Sequence, residues 1–476
     1  MATTRKKIFF IAGIAAAVLL GLALALLFRL QAFKPRIEAA ASDAVGMDIR
    51  GKGRLRLSLF PGFGISLKKV AMRNGNTEVI SADKVVVRLE FLPLLTRREV
   101  RISRIGLIGP VITIARDKNG NYSFEKPGKA EAGEPFVIKE IDISRGKLVY
   151  TEKSSGVKVE TDDFDATIRD LSYNGKGGAK PFNDLSFDAE AECRTLAINA
   201  FTFKTLALKA AGRNGTLDLS PISINIFGGT GKGSFHADFT GPATRYRMTA
   251  ALNRFNLMDM FSAPGIKNTG SRMEGIVDFT ADLAATGNSL TAMKRSLSGG
   301  LSLNGENLMV YGIDIDALIP KLERTQNFSL VDVGAFLVAG PFGSALTKGY
   351  SLGSAYIESR GGKGAVRKFV SIWKVKGGVA DAADVALATK KYRLAMKGGL
   401  DFNNGRFADV TIAVLTKKGC AAYSQKISGP FGRPSVGKTT IINSLTGPAT
   451  NALESAWDLI WSCKVIYKGS VAQPGN

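Results

Sequence analysis

Few residues of this chain are of a type and spacing that could do chemistry. The stretch that most invites it is GRPSVGKT, Gly432–Thr439, which fits the phosphate-loop spacing G-x-x-x-x-G-K-[ST] at every fixed position. In a nucleoside triphosphatase that loop follows a buried strand and opens a helix, so that its amides and its lysine meet the phosphate oxygens. Here the preceding YSQKISG alternates polar and apolar residues, as a strand with one wet face does. Only 37 residues follow Thr439, too few for the strands that would carry a magnesium-binding Asp and a base-recognition loop. The chain is expected not to be an enzyme.

Other candidate groups read as structural. His236 is the single histidine, which leaves no histidine pair for acid-base or nucleophilic work. DKNGNYSFE from Asp117 begins like a calcium loop, but Gly120 stands fourth instead of sixth and no Glu stands twelfth, so a hairpin turn is expected. GGTGKGS, Gly228–Ser234, resembles a phosphate cradle, yet the GSFHADF that follows alternates as a strand. Asp314 and Asp316 in GIDID need no partner. The three cysteines, Cys193, Cys420 and Cys463, lack the close spacing of a zinc site. No metal and no cofactor are expected. Cys193 shares strand parity with Leu185, Phe187 and Ala191 and reads as a buried thiol. Cys420 and Cys463 bracket the terminal segment; a bond between them would close a loop worth about 4 kcal/mol in the chain-entropy model and would persist only in an oxidising compartment. Spacing alone leaves that pairing open.

The elements that would position such groups begin with TRKK, residues 4–7, followed by an uncharged apolar run, Ile8–Phe28. About 21 residues at 1.5 Å each span roughly 31 Å, one hydrocarbon thickness. Arg29, Lys34 and Arg36 follow directly where a cleavage site would carry small residues, so the run reads as an uncleaved signal anchor. Basic residues on both sides leave its orientation open. PRIEAAASDAVG from Pro35 reads as a short helix ended by Gly46.

From there the period changes to two. RLRLSLF, KVVVRLEF, EVRIS, PVITIA, FVIKEIDI, GKLVY, FTFKTLALKA, TLDLSPISINIF and DVTIAVL all alternate as one-face-wet strands. Asn-Gly pairs at Asn74, Asn119, Asn174, Asn214, Asn304 and Asn404 mark hairpin turns and imply sequential antiparallel pairing. LSGGLSLNG from Leu297 and MKGGLDFNNG from Met396 form a weak internal echo, and PGKAEAGEP, Pro127–Pro135, reads as a linker. Helices are expected at DIDALIPKLE, in part of SLVDVGAFLVAG, and at TNALESAWDLIWS. The fold expected is mainly β: one N-terminal transmembrane helix, then an elongated antiparallel sheet with a few short helices.

Charge narrows the partners. Lys and Arg number 64 against 41 Asp and Glu, a formal +23, so the surface attracts anions. The excess is sharpest over Lys363–Lys438, with fifteen Lys or Arg against four Asp and no Glu. Trp373, Tyr392 and Phe407 could serve a nucleic-acid surface, but a membrane-anchored chain makes lipid phosphate the expected partner and nucleic acid not.

SLFPGFGISLKKVAMRNG, then ADKVVVRLEFLPLLTRREVRISRIGLIGPVITIARDKNGNYSF, then LSGGLSLNGENLMVYGIDIDALIPKLE, following the anchor in this order, resemble the AsmA family of Gram-negative envelope proteins. ISGPFGRPSV from Ile427 resembles the family's closing strand, which makes the phosphate-loop match an accident of Gly437, Lys438 and Thr439. KKGCAAYSQ and SCKVIYKGSV resemble the family's paired terminal cysteines, which implies a Cys420–Cys463 bond and places the bulk of the chain in the periplasm, tethered to the inner membrane by a single pass. The resemblance also implies relatedness to bridge-like lipid-transfer proteins, whose curved sheet offers an apolar groove to acyl chains. The function so expected is binding or conveying phospholipid between inner and outer membrane during outer-membrane assembly, with phospholipid or lipopolysaccharide as the expected partner. A structural or regulatory envelope role through protein partners is the alternative. The organisation expected is a cytoplasmic tail at 1–7, the anchor at 8–28, an N-terminal AsmA-like β region at 29–126, a middle β region at 136–290, and a C-terminal AsmA-like region with a terminal helix at 291–476.

Overall fold

The computed structural model describes residues 34–36, 38–39, 42, 47–58, 64–90, 102–124, 135–174, 181–199, 201–262, 272–312, 314–325, 362–431, 433–438, 440–441 and 465–475. The expected anchor Ile8–Phe28, most of the linker, SLVDVGAFLVAG, TNALESAWDLIWS and Cys463 lie outside these residues. Among the described residues no helix is long and apolar enough to cross a membrane. The chain divides into two units, Met1–Asn199 with Lys204–Asn214, and Ala200–Phe203 with Gly215–Asn476. Both are mainly β.

Unit 1 holds β1 (Asp48–Gly51), β2 (Arg56–Ser58), β3 (Gly64–Asn74), β4 (Thr77–Leu89), β5 (Ile102–Ile108), β6 (Val111–Arg116), β7 (Phe136–Glu152), β8 (Val157–Tyr173), β9 (Leu185–Ile198) and most of β10 (Phe201–Arg213). Asn74-Gly75 turns the chain between β3 and β4, with Gly75 at φ 58°. The short helical stretch around Pro35 forms as expected and is tied down where Lys34 Nζ donates to the Gly53 carbonyl at 2.9 Å and the Gly51 amide donates to Glu38 Oε1 at 2.8 Å.

The purely antiparallel expectation is corrected at β7. Both β5 and β6 pair antiparallel with β4 and parallel with β7. The two are one strand path interrupted at Gly109-Pro110, where Gly109 takes φ 57° and the proline has no N–H for a ladder. A bulge in β7 answers the interruption: Arg145 takes φ 55°, Gly109 N donates to Ser144 O at 2.8 Å and Lys147 N to Pro110 O at 2.7 Å. FVIKEIDI and GKLVY, two stretches in the sequence, are therefore one strand of 17 residues. Asn119-Gly120 does form a turn, yet it closes only the single Arg116–Tyr122 bridge. β7 begins at Phe136 and runs parallel to β6, which hairpin pairing would not give.

Unit 2 holds β11 (Thr216–Ile226), β12 (Gly229–Asp238), β13 (Arg245–Asn256), α1 (Leu257–Phe261), β14 (Arg272–Glu274), β15 (Ile276–Thr286), α2 (Leu290–Ser296), β16 (Ser298–Tyr311), α3 (Ile315–Thr325), β17 (Lys363–Lys376), β18 (Val379–Ala388), β19 (Arg393–Asp401), β20 (Arg406–Leu415), β21 (Ala421–Pro430), β22 (Ser435–Val436) and β23 (Thr440–Ile441). Its ladders are antiparallel and almost strictly sequential, from β11–β12 and β12–β13 through β20–β21. One expected turn is absent: Asn304-Gly305 lies inside β16, paired to β15 and β17. The glycine serves packing there, since a Cβ on Gly305 would stand 2.7 Å from Val277 Cγ1.

The core sits in unit 2. Strands β17 to β21 are buried on both faces. On one face Phe369, Leu394, Ile412 and Val414 pack with Leu257 and Met260 of α1 and Ile315 and Ile319 of α3. On the other, Ala386, Ala395 and Ala413 pack under Tyr467 and Val471 of the C-terminal tail. Both clusters of mutually packed buried side chains found among the described residues belong to this unit.

Candidate functional site

In unit 1 the registers line up apolar side chains across six strands. Ile65 faces Val87, which faces Ile105, then Ile141, Ile168 and Ala189. A second row runs Leu67, Val85, Leu107, Ile143, Ala166 and Ala191. Every member of the first row is only half-buried, and in the second Ile143 and Ala166 alone are buried. Because side chains alternate along a strand, the intervening residues form the opposite face. Arg88, Arg104, Glu140, Arg169 and Asp188 stand in register there. Arg104 Nη2 lies 2.9 Å from Glu140 Oε1 and also pairs with Asp142, whose carboxyl it holds below the usual carboxylate range.

One face is therefore charged and internally paired, and the other is apolar, with no second layer over it among the described residues. Leaving an isoleucine partly exposed forgoes up to roughly 1 kcal/mol of burial. Repeated over two rows, that is a surface suited to holding alkyl chains by exclusion of water. Alternation shows the two-faced character of each strand but not these residues, because which apolar residue faces which depends on the parallel passage of β7 beside β5. Cys193 stands opposite Phe164, buried and free, with its thiol pushed up by burial.

The residues that suggested chemistry are placed as follows. Of the phosphate-loop match, Gly432 and Thr439 lie outside the described residues. Ser435 and Val436 form β22, hydrogen-bonded back onto β21 opposite Ser428 and Ile427. The Gly437 amide donates to Lys426 O at 2.9 Å and its carbonyl accepts from Gln425 Nε2 at 2.9 Å, so these groups close a hairpin. Asp117 accepts from the amides of Asn119 at 2.8 Å and Asn121 at 2.9 Å, which keeps its carboxyl below its ordinary value and makes the stretch a turn. Gly228 sits in the turn entering β12, and a Cβ on Gly229 would meet Asn253 O at 2.5 Å, so GGTGKGS serves strand approach. His236 Nδ1 lies 2.6 Å from Asp218 Oδ1 in an exposed cross-strand pair. Asp314 caps α3 through the Ala317 amide at 3.1 Å, and Asp316 accepts from Thr389 Oγ1. No group of three or more His, Cys, Asp or Glu among the described residues could hold a metal ion.

Sequence reading missed a network in unit 2. Tyr467 donates to Asp384 Oδ1 at 2.5 Å and its oxygen accepts from the Val471 amide at 2.9 Å. Arg393, 8% exposed, donates to Val471 O at 3.0 Å and Thr416 O at 3.1 Å and lies over the Tyr467 ring. Cys420 is buried and bridged antiparallel to Val465, two positions beyond Cys463 in sequence.

These features define a mainly β protein with a mixed sheet, a partly exposed apolar face in one unit and, among the described residues, a filled core in the other. The chain belongs to the AsmA family, whose model matches residues 3–192 and 147–335. The matched residues include the stretches that carried the resemblance up to DIDALIPKLE and stop short of Cys420 and Cys463. No curated protein and no solved structure matched the chain.

Proposed function

We propose that this is an envelope protein that binds the acyl chains of phospholipid or lipopolysaccharide on the apolar face of β3 to β9 and conveys them between inner and outer membrane during outer-membrane assembly. The observation that carries the reading is the row Ile65, Val87, Ile105, Ile141, Ile168 and Ala189, in register yet none of it fully buried. Six strands at about 4.8 Å span roughly 24 Å, more than the ~15 Å of half a bilayer core. Membership of a family of envelope proteins supports a periplasmic bulk, with Ile8–Phe28 as a single inner-membrane anchor. A Cys420–Cys463 bond belongs to the same reading, supported by the Cys420–Val465 bridge and by Cys193 being the free cysteine among the described residues. In this reading the protein performs no covalent chemistry and does not engage nucleic acid.

The test is site-specific photocrosslinking of the full chain in cells. A benzophenone side chain at Ile141 or Ile168 is expected to yield phospholipid adducts, and one at Thr167 on the opposite face to yield few. Equal adducts at both faces, or none at Ile141, defeats the reading. The filled core of unit 2 favours a second role for that unit, structural or regulatory through protein partners. If a protein partner occupies the apolar face of unit 1 as well, crosslinks from Ile141 would go to protein instead of lipid.

A further inference from the structure

Unit 2 ends, on one side, in turns that carry lysine and almost nothing else. The pairs Ala388–Arg393, Arg393–Leu415 and Leu415–Ala421, with the Cys420–Val465 bridge, set the turn Thr389–Tyr392, the turn Thr416–Gly419 and the tail at Lys468 side by side. Lys390, Lys391, Lys417, Lys418 and Lys468 are all exposed there. Of these, Lys390, Lys391, Lys417 and Lys468 make no ion pair among the described residues. Two carboxylates stand at this end, Asp316 on Thr389 Oγ1 and the Lys391 amide and Asp384 on the Tyr467 hydroxyl and the Ser470 amide, so they offset part of the positive charge without pairing with a lysine. At the opposite end of the same strands, the turns Gly377-Gly378 and Phe402–Gly405 carry no lysine.

Beneath the lysines lies a further cation. The Arg393 guanidinium is bound by the carbonyls of Thr416 and Val471, and its Nε is buried without a partner. Neutral donors would serve those carbonyls as well, whereas a buried charge without a carboxylate costs desolvation and adds to the repulsion among the lysines above. Ion pairs in unit 1, such as Lys69–Asp83, Lys209–Glu190 and Arg213–Asp188, neutralise their cations locally. This end does the reverse.

We propose that this end of unit 2 docks onto an anionic lipid membrane, its lysines lying against the phosphates and Arg393 holding the two turns and the tail together as a single basic platform. The aromatic residues beside the lysines, Tyr392 and Tyr467, are half-buried and buried, so bases would find no exposed ring to stack on. Lysine heads on flexible stems suit a planar field of phosphates, with an attraction screened by salt.

The test holds the full chain in phosphatidylcholine nanodiscs and measures its capture by separate vesicles, either pure phosphatidylcholine or a mixture with phosphatidylglycerol. Capture by the anionic vesicles alone, falling as salt rises, is expected. Changing the five lysines to Gln together should lower it by on the order of 10³, at about five-fold per lysine. A matched variant with Lys118, Lys147, Lys153, Lys204 and Lys232 changed to Gln has the same net charge and should retain most capture. Equal loss in both variants overturns the platform, as does capture by neutral vesicles to the same extent. Absence of capture by the unmodified chain overturns it too, and points to an acidic protein as the partner. Because the readout is capture of intact vesicles and not bound lipid, this inference and the acyl-chain reading of unit 1 fail separately.

Discussion

At the scale of single residues, the groups that drew attention in the sequence proved to be turn and ladder residues. Lys438, Asp117 and His236 were visible from spacing because motifs are local. Tyr467, Asp384 and Arg393 were not, because they meet only when the tail crosses the face of β17 to β21, and nothing within a few residues of any of them announces it. Tyr150 is a similar case in unit 1. Its hydroxyl donates to Glu152 Oε2 at 2.7 Å, and burial together with that carboxylate pushes the phenol up to about 12. An unfolded tyrosine titrates near 10, so the folded state holds this proton more tightly. The stabilisation is complete below about pH 10 and is lost as the pH climbs through about 12. Tyr150→Phe should therefore lower the stability of unit 1 at neutral pH by about 1 kcal/mol and flatten the alkaline arm of its profile, as read by circular dichroism in urea over a pH series. A variant that unfolds along the same alkaline curve as the parent would show that Tyr150 is not the group responsible.

At the scale of elements, the strands were legible and their bulges were not. Alternation in PVITIA or DVTIAVL depends on one strand alone, so β6 and β20 were expected and formed. Bulges depend on the neighbour. Arg145 in β7 and Arg254 in β13 both take left-handed φ values of 55° inside strands, and in each case an aspartate on the next strand accepts the freed amide. Arg145 N donates to Asp165 Oδ1 at 2.9 Å and Arg254 N to Asp278 Oδ1 at 2.7 Å. The arrangement explains how non-glycine residues persist in a conformation that costs about 1 kcal/mol or more. The bulge at Arg145 also lets β7 stay paired with β6 after the Gly109-Pro110 interruption, where Leu148 comes opposite Ile112, since an uncorrected one-residue slip would turn the following side chains over. Asp165→Ala should cost about 1 kcal/mol, while Arg145→Gly, which relieves the backbone strain, should be neutral or stabilising. Urea unfolding of the two variants distinguishes this account from one in which Arg145 matters for its charge. In that case Arg145→Gly would be the worse of the two.

At the scale of the whole molecule, the same alternating sequence has two outcomes, and the difference is what covers the apolar face. In unit 2 the helices α1 and α3 and the tail supply the missing layers, so Phe369, Leu394 and Val414 reach 0% exposure. In unit 1 the described residues provide no such layer over Ile105, Ile141 and Ile168. Periodicity did not separate these cases, because DVTIAVL, buried from Val410 to Leu415, alternates in sequence much as PVITIA does. The family match spans both units, from residue 3 to residue 335, so membership does not separate them either. Energetics does. A side chain enclosed on all sides loses its transfer energy and leaves a cavity when truncated, whereas one already half in water loses only part of the first and leaves no cavity. Phe369→Ala should therefore cost about 3–5 kcal/mol, and Ile141→Ala about 1 kcal/mol. The effects on lipid should run the other way. Ile141→Asp, placed in the centre of the apolar row, should abolish acyl-chain crosslinking from a probe at Ile168 while the folded fraction stays near that of the parent, because the row holds no core together. If Ile141→Ala instead destabilises unit 1 as severely as Phe369→Ala destabilises unit 2, the face is closed in the working protein and its occupant is another part of the chain or a protein partner.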